Sequence, residues 1–137
     1  MIETDILRVL YVDTKDILPN VFEKGLSKLN CKKEELKYVS YDFFDNTAVG
    51  ILTNKQIVYV QAYKDKLDTK VIKYYDISNV GYEMIEDRLK ISLRDKHHNL
   101  ICNLPTSTFA NSVDIVKTIY TLSMQSKNKP ILQIIRK

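Results

Sequence analysis

Residues 88–104 read RLKISLRDKHHNLICNL, and this stretch decides the fold class. On both sides of a polar centre, Asp95 to His98, apolar residues occupy every second position, which is the period of a half-buried strand. Two such strands joined by a short polar loop pair as an antiparallel hairpin. The stretch therefore predicts a hairpin with one buried face, formed by Leu89, Ile91, Leu93, Leu100, Cys102 and Leu104.

The same period continues upstream to about Leu36. Short strands follow one another there with no helical pattern between them, which indicates an antiparallel meander and not alternating strands and helices. The polar stretch Lys64 to Thr69 is predicted to be a loop. The predicted strands are Lys37 to Phe44, Ala48 to Thr53, Gln56 to Tyr63, Lys70 to Tyr75 and Asn79 to Ile85.

A helix is predicted after the hairpin, from the segment Pro105 to Thr108 to about Ser126. Its apolar residues form two rows that together span roughly half of the helix circumference. One sheet face seldom needs so wide an apolar surface, so we expect the helix to pack on the sheet and also to meet a further element or a partner. One row is Phe109, Val113, Val116 and Tyr120, and the other, which is the candidate partner contact, is Ile115, Ile119 and Leu122.

Residues 1–35 are predicted to form an N-terminal helical extension. Apolar residues recur at helical spacing between Leu18 and Leu29, whereas residues 5–12 fit either a short helix or an added strand. The acidic start lacks the basic residues that begin a signal peptide. No apolar run approaches the ~20 residues of a membrane span. The sequence therefore predicts a cytoplasmic protein.

The tail, Lys127 to Lys137, combines basic and apolar residues. It holds four of the 21 basic residues and none of the 17 acidic ones, so residues 1–126 are electrically balanced. Nucleic-acid binding depends on a basic surface, so this balance disfavours it. A purely solvated tail would not be so apolar, and three alternatives stay open: docking on this chain, adding a strand to a partner or sister chain, or disorder. The apolar residues are Ile131, Leu132, Ile134 and Ile135.

Two stretches, Gly50 to Val60 and Ile72 to Val80, resemble the bacterial pleckstrin-homology-like (PH-like) families and the related GRAM domains. The resemblance covers roughly residues 36–126. It implies an α+β, mostly β fold: a curled antiparallel sheet or barrel of about seven strands closed by a C-terminal helix. The residues of the first hairpin loop, Asp42 to Asn46, are acidic and aromatic, so inositide binding by the usual basic loop is not expected.

The residues that carry chemistry in enzymes do not form a pattern here. His97 and His98 are adjacent in a tight loop, so their side chains point apart and rarely share a metal. Cys102 faces inward in its strand, away from a pairing with either histidine. Three glycines spread along the chain form no phosphate-binding loop. We expect no catalytic, metal or cofactor site, no small-molecule substrate, and free thiols at Cys31 and Cys102.

Two binding functions follow. The first is a non-enzymatic module that binds a protein partner or assembles with itself. The second is peripheral binding to an anionic membrane surface through the Lys64–Lys73 loop and the basic tail. The candidate partner-binding residues are Phe43, Phe44, Ile115, Ile119, Leu122, Ile131, Leu132, Ile134 and Ile135, and the candidate lipid contacts are Lys64, Lys66, Lys70 and Lys73.

Overall fold

The computed structural model of the chain describes residues 35–41, 48–63, 66–85, 88–106 and 109–135. These residues form eight strands, a short 3₁₀ turn and an α-helix. The elements in chain order are β1 (Leu36–Ser40), β2 (Ala48–Thr53), β3 (Gln56–Tyr63), β4 (Lys66–Lys73), the 3₁₀ turn (Tyr74–Asp76), β5 (Asn79–Ile85), β6 (Arg88–Arg94), β7 (Leu100–Leu104), α1 (Phe109–Gln125) and β8 (Ile131–Ile135).

The strands form two four-stranded sheets, ordered β1-β2-β3-β4 and β7-β6-β5-β8. Every pairing is antiparallel except that of β8, which runs parallel to β5. Across the described ranges no strand pairing joins one sheet to the other. The predicted class, mostly β with one C-terminal helix, is confirmed. The tail departs from the antiparallel meander because the helix carries the chain back to the start of β5 before β8 begins.

The core lies between the two sheets and is closed by α1. Ile91 and Leu93 of the predicted 88–104 hairpin are fully buried, as are Ile57 and Ile77 from the other half of the fold. The prediction that Leu100 also faces the core is wrong, because its side chain is 45% exposed. The helix contacts β1 in one sheet and β6 in the other. Burial at this scale contributes about 1.5–3 kcal/mol for each large apolar side chain, which makes this cluster the main source of stability.

The row of α1 that was expected to contact a partner is part of this core. Ile115 and Ile119 are fully buried and Leu122 is 5% exposed. The other row is only half-buried, at Val113 and Tyr120. The expectation for Ile115, Ile119 and Leu122 is therefore corrected: these side chains are not available to a partner. The reason is that α1 is covered by both sheets, so its wide apolar arc is used within the fold.

The segment Lys64 to Thr69 was predicted to be a loop, and this prediction is wrong from Lys66 onward. Lys66 pairs with Tyr63, and the ladder to β3 continues without interruption to Lys73. The charged residues Asp68 and Lys70 are exposed although they share a face with buried Ile72. At this end the β3–β4 hairpin extends beyond the core, so its residues lack the apolar alternation from which a strand is predicted.

Close contacts hold β7 against the first sheet. A Cβ added to Gly50 in β2 would lie only 2.8 Å from Cδ2 of Leu104, so a larger residue at position 50 would require the Leu104 side chain to shift. Nearby, the buried Ser40 hydroxyl donates a hydrogen bond to the carbonyl oxygen of Pro105. The end of β7 is thereby fixed on β1 and β2, and the helix starts from a defined position.

Candidate partner-binding surface

The tail is directed onto β5 by the way α1 ends. Lys127 adopts a left-handed conformation, with φ of 59°. Its N–H donates to the Met124 carbonyl, and the N–H of Asn128 donates to the Ser123 carbonyl, each at 2.9 Å. This pair of bonds is the Schellman motif, which ends a helix and turns the chain back. Lys at the left-handed position is unusual, because this position favours glycine.

Replacing Lys127 with glycine is therefore expected to raise the free energy of unfolding by about 0.5–1 kcal/mol, because a residue with a Cβ is strained in the left-handed region. Chemical denaturation of both proteins measures the difference. Lys129→Gly is the matched control, since Lys129 is exposed and is not among the residues with positive φ. A loss of stability in Lys127→Gly as large as that in the control would contradict the prediction.

The side chain of Asn128 fixes the turn to the core. Its amide nitrogen donates to the Tyr74 carbonyl at 2.9 Å and to the Ile77 carbonyl at 2.6 Å. Pro130 follows and is buried, and the N–H of Ile131 then donates to the Ser78 carbonyl at 3.0 Å. These contacts set the direction of the tail, so that β8 runs parallel to β5. Of the alternatives left open for the tail, docking on this chain is the one that the structure shows.

β8 nevertheless leaves its apolar side chains exposed. Ile131 is 67% exposed, Leu132 45% and Ile134 61%, whereas Val80, beside Leu132 in the neighbouring strand, is fully buried. Alternation places Leu132 and Ile134 on the core face of the sheet and Ile131 on the opposite face. The strand lies at the margin of the core and presents apolar groups on both faces.

The outer backbone edge of β8 is also unpaired in the part of the chain that the structure describes. Because the N–H of Ile131 donates toward β5, the backbone groups of Gln133 face β5 as well. The N–H and C=O groups of Leu132 and Ile134 therefore face outward. We call this surface, the exposed side chains of Ile131, Leu132 and Ile134 together with the outward backbone groups, the β8 edge.

Basic residues flank the β8 edge in the sequence. Lys127 and Lys129 precede the strand and are exposed, and Arg136 and Lys137 follow it. The tail contains no acid. The sequence of the tail is therefore apolar in the middle and basic on both sides, a pattern that favours a partner of opposite charge.

The candidate lipid contacts do not form one surface. Lys70 and Lys73 lie an odd number of positions apart in β4, so they project from opposite faces of the sheet. The Lys70 ammonium group donates to the Ile101 carbonyl at 2.7 Å, across the gap between β4 and β7. Lys66 is in β4, not in a loop as predicted, and Lys64, Phe43 and Phe44 lie outside the described residues.

A groove of about 630 Å³ opens between β4, the 3₁₀ turn, the β6–β7 turn and the end of α1. The charged residues that line it are of both signs: Asp76 and Asp95, and Lys96 and Lys127. Exposed apolar groups are present at Val71 and Tyr75, which are 50% and 69% exposed. This groove was not predictable from the sequence, because strand periodicity does not reveal which apolar residues lie beyond the core.

The polar residues of the β6–β7 turn, which lines this groove, form hydrogen bonds within the turn. The Asp95 carboxylate accepts hydrogen bonds from the N–H groups of His97 and Asn99. Both bonds lower the pKa of Asp95 from its ordinary value, and the bond from Asn99 has the larger effect. His98 occupies the left-handed position that completes such a turn, with φ of 64°. Asp95 acts as the cap of a tight hairpin turn.

The Cys102 thiol is buried in β7. It is a free cysteine, 5% exposed, and burial raises its pKa to about 12, so the thiolate that a nucleophile requires is not formed at neutral pH. Tyr74 is similarly buried, donates to the Thr53 carbonyl at 2.6 Å, and has a raised pKa because of its burial. Cys31 lies outside the described residues.

The described part of the chain contains neither a cluster of metal-binding side chains nor a helix that could span a membrane. In these residues no three His, Cys, Asp or Glu side chains come together in a group that could hold a metal ion. None of the helical structure there has both the length and the apolarity needed to cross a bilayer.

No protein-family model and no curated protein matches this chain. Sequence reasoning identified the apolar residues of β8 but missed Lys127 and Asn128, which position the strand. The signal was present in Pro130, because proline commonly follows a helix C-cap by one or two residues.

Proposed function

We propose that the chain is a non-enzymatic, PH-like interaction module that binds a partner protein through the β8 edge. The main support for this proposal is that three large apolar side chains are exposed on a strand that is already paired with its own sheet. Seven strands followed by a helix are in accord with the PH-like resemblance. That scaffold hosts many binding tasks, so the surface and not the fold has to identify the function.

If the tail served only the fold, the side chains at its exposed positions would not need to be apolar. A strand that only extends a sheet gains its backbone hydrogen bonds whatever its side chains are, and polar residues would suit its exposed positions. Ile131 and Ile134 instead keep most of their apolar surface in water. Apolar groups placed together on an unpaired edge are typical of a surface that another chain covers.

The test is a capture experiment with the full chain as bait. In the test variant Ile131→Thr, Leu132→Thr and Ile134→Thr are combined, which keeps strand propensity while removing apolar surface. The matched control combines changes of three residues of comparable exposure outside β8, which are Val71→Thr, Leu100→Thr and Met124→Gln.

We expect one protein to be retained by the wild type and the control and lost from the β8 variant, and the same loss of binding when that protein is purified. Retention by all three baits would contradict the proposal. Light scattering of the bait alone identifies self-assembly as a separate outcome. Equal binding of all three baits to anionic vesicles, with no protein retained, would favour the membrane function instead.

A further inference from the structure

We infer that the partner joins the β8 edge as an additional strand, and that its segment is apolar with acidic residues at both ends. This inference rests on the proposed function and names the chemistry of the partner. Three features of β8 carry it: the direction of its backbone groups, the distribution of its apolar side chains, and the charge of its flanks.

The backbone groups provide the means of attachment. Leu132 and Ile134 direct their N–H and C=O groups away from β5, at the margin of the β7-β6-β5-β8 sheet. An extended segment that pairs there satisfies these groups in the way that neighbouring strands do, and this mode of recognition is common on open sheet edges. Pairing needs no rearrangement, because β8 is already held in place by its ladder to β5.

The side chains favour a strand over a helix as the partner. Ile131 lies on one face of the sheet, and Leu132 and Ile134 lie on the other. A helix laid on the sheet would cover one face only. A neighbouring strand places its own alternate side chains beside both faces, so that it shields all three apolar groups.

The flanking charges indicate what the ends of the partner segment carry. Four basic residues flank the strand in the sequence, two before it and two after it, and the tail itself contains no acid. Acidic residues at both ends of the partner segment would complement this basic sequence, which favours association with the segment. The contribution is expected to weaken with added salt, because exposed charges are screened.

The same charges disfavour a second copy of this chain as the occupant. Two copies pair their outward groups fully in the antiparallel register centred on Gln133, where Leu132 lies opposite Ile134 of the other copy. In that register the sequence sets Lys129 opposite Lys137 of the second copy. Like charges directly opposite each other destabilise a strand pair. The geometry would permit this dimer, but its charges oppose it.

The test uses a fluorescein-labelled peptide, Asp-Glu-Val-Thr-Val-Thr-Val-Glu-Asp, as a probe of the β8 edge in the full chain. One control peptide carries Lys in place of every acid, and another carries Pro in place of both Thr. Fluorescence anisotropy at low and at physiological salt measures binding. We expect the acidic peptide to bind about tenfold more tightly than the Lys peptide at low salt, and the Pro peptide not to bind.

Leu132→Pro is the diagnostic variant, because it removes an outward N–H without removing a bond to β5. Proline is tolerated on edge strands when its N–H would face solvent, so thermal stability should be retained. Leu132→Ala loses the side chain but keeps the N–H, and it is the matched control. We expect the proline variant to lose binding of the acidic peptide, whereas the alanine variant, which loses only one of the three apolar side chains, should bind it more weakly than the wild type but measurably.

Three outcomes would overturn the inference. In the first, Leu132→Pro binds the peptide as the wild type does. In the second, no peptide binds, while the protein captured in the bait experiment is lost from the threonine variant and kept by Leu132→Pro. The partner then contacts side chains only, and the proposed function survives. In the third, the wild type forms a concentration-dependent dimer that Leu132→Pro does not form, which identifies a second copy as the occupant.

Discussion

Ile119→Ala is expected to lower the free energy of unfolding by about 2–5 kcal/mol, which is the range for truncating a large side chain in a packed core. Ile119 is fully buried in the centre of α1, between the two sheets. The change removes apolar burial and leaves a cavity that neither sheet can fill. Urea denaturation followed by circular dichroism measures the loss.

The matched control is Ile134→Ala in β8, where the same truncation affects a side chain that is 61% exposed. Its effect on stability should stay within about 0.5 kcal/mol. In the capture experiment the larger effect is expected from Ile134→Ala and the smaller one from Ile119→Ala, because only Ile134 belongs to the β8 edge. Equal stability losses in the two variants would contradict the assignment of Ile119 to the core and of Ile134 to the surface.

Asn128→Asp is expected to lower the free energy of unfolding by about 2 kcal/mol or more at neutral pH. The change keeps the shape of the side chain but replaces a donor by an ionised acceptor that faces the carbonyl oxygens of Tyr74 and Ile77. Asn128→Ala, which only removes the two hydrogen bonds, is the control and should cost about 1–3 kcal/mol, less than the aspartate variant. Thermal denaturation of the three proteins measures both losses.

The pH dependence of this variant has a defined sign. Facing two carbonyl oxygens, the introduced carboxyl is more stable protonated, so its pKa is raised in the folded state. A group with a raised folded-state pKa contributes stability below its unfolded pKa and loses that contribution as the pH rises through the folded value. The loss in free energy of unfolding, relative to wild type, should therefore become smaller as the pH is lowered from about 7 to about 4. A deficit that grows on acidification would contradict the orientation of the Asn128 amide.

The strands of the fold were predictable where one face is buried along the whole strand. The bounds of β2, β3 and β5 match the apolar and β-branched stretches in the sequence. The start of β4 was missed because the hairpin extends beyond the core there, and the polar residues Lys66, Asp68 and Lys70 conceal the period of two. Periodicity detects a strand through its burial, so a strand held mainly by its neighbour's backbone gives a weak signal.

The helix shows a different limit. Spacing correctly identified two apolar rows but not which row would be covered, because the pattern of one helix contains no information on the position of the sheets. Ile115, Ile119 and Leu122 were assigned to a partner, whereas α1 lies against both sheets and buries them. The tail was harder still, since a parallel pairing with β5 depends on where Asn128 and Pro130 place the chain in space.

The most direct measurement is amide hydrogen exchange of β8, followed by NMR in the free chain and with the acidic peptide. The N–H groups of Ile131 and Gln133 face β5 and should exchange slowly, whereas those of Leu132 and Ile134 face outward and should exchange fast. Addition of the peptide should protect Leu132 and Ile134 selectively. Slow exchange of all four groups in the free chain at every concentration would mean that the β8 edge is already covered, and fast exchange of all four would mean that the tail is not docked. Either result would contradict a strand held on this chain with an open outer edge.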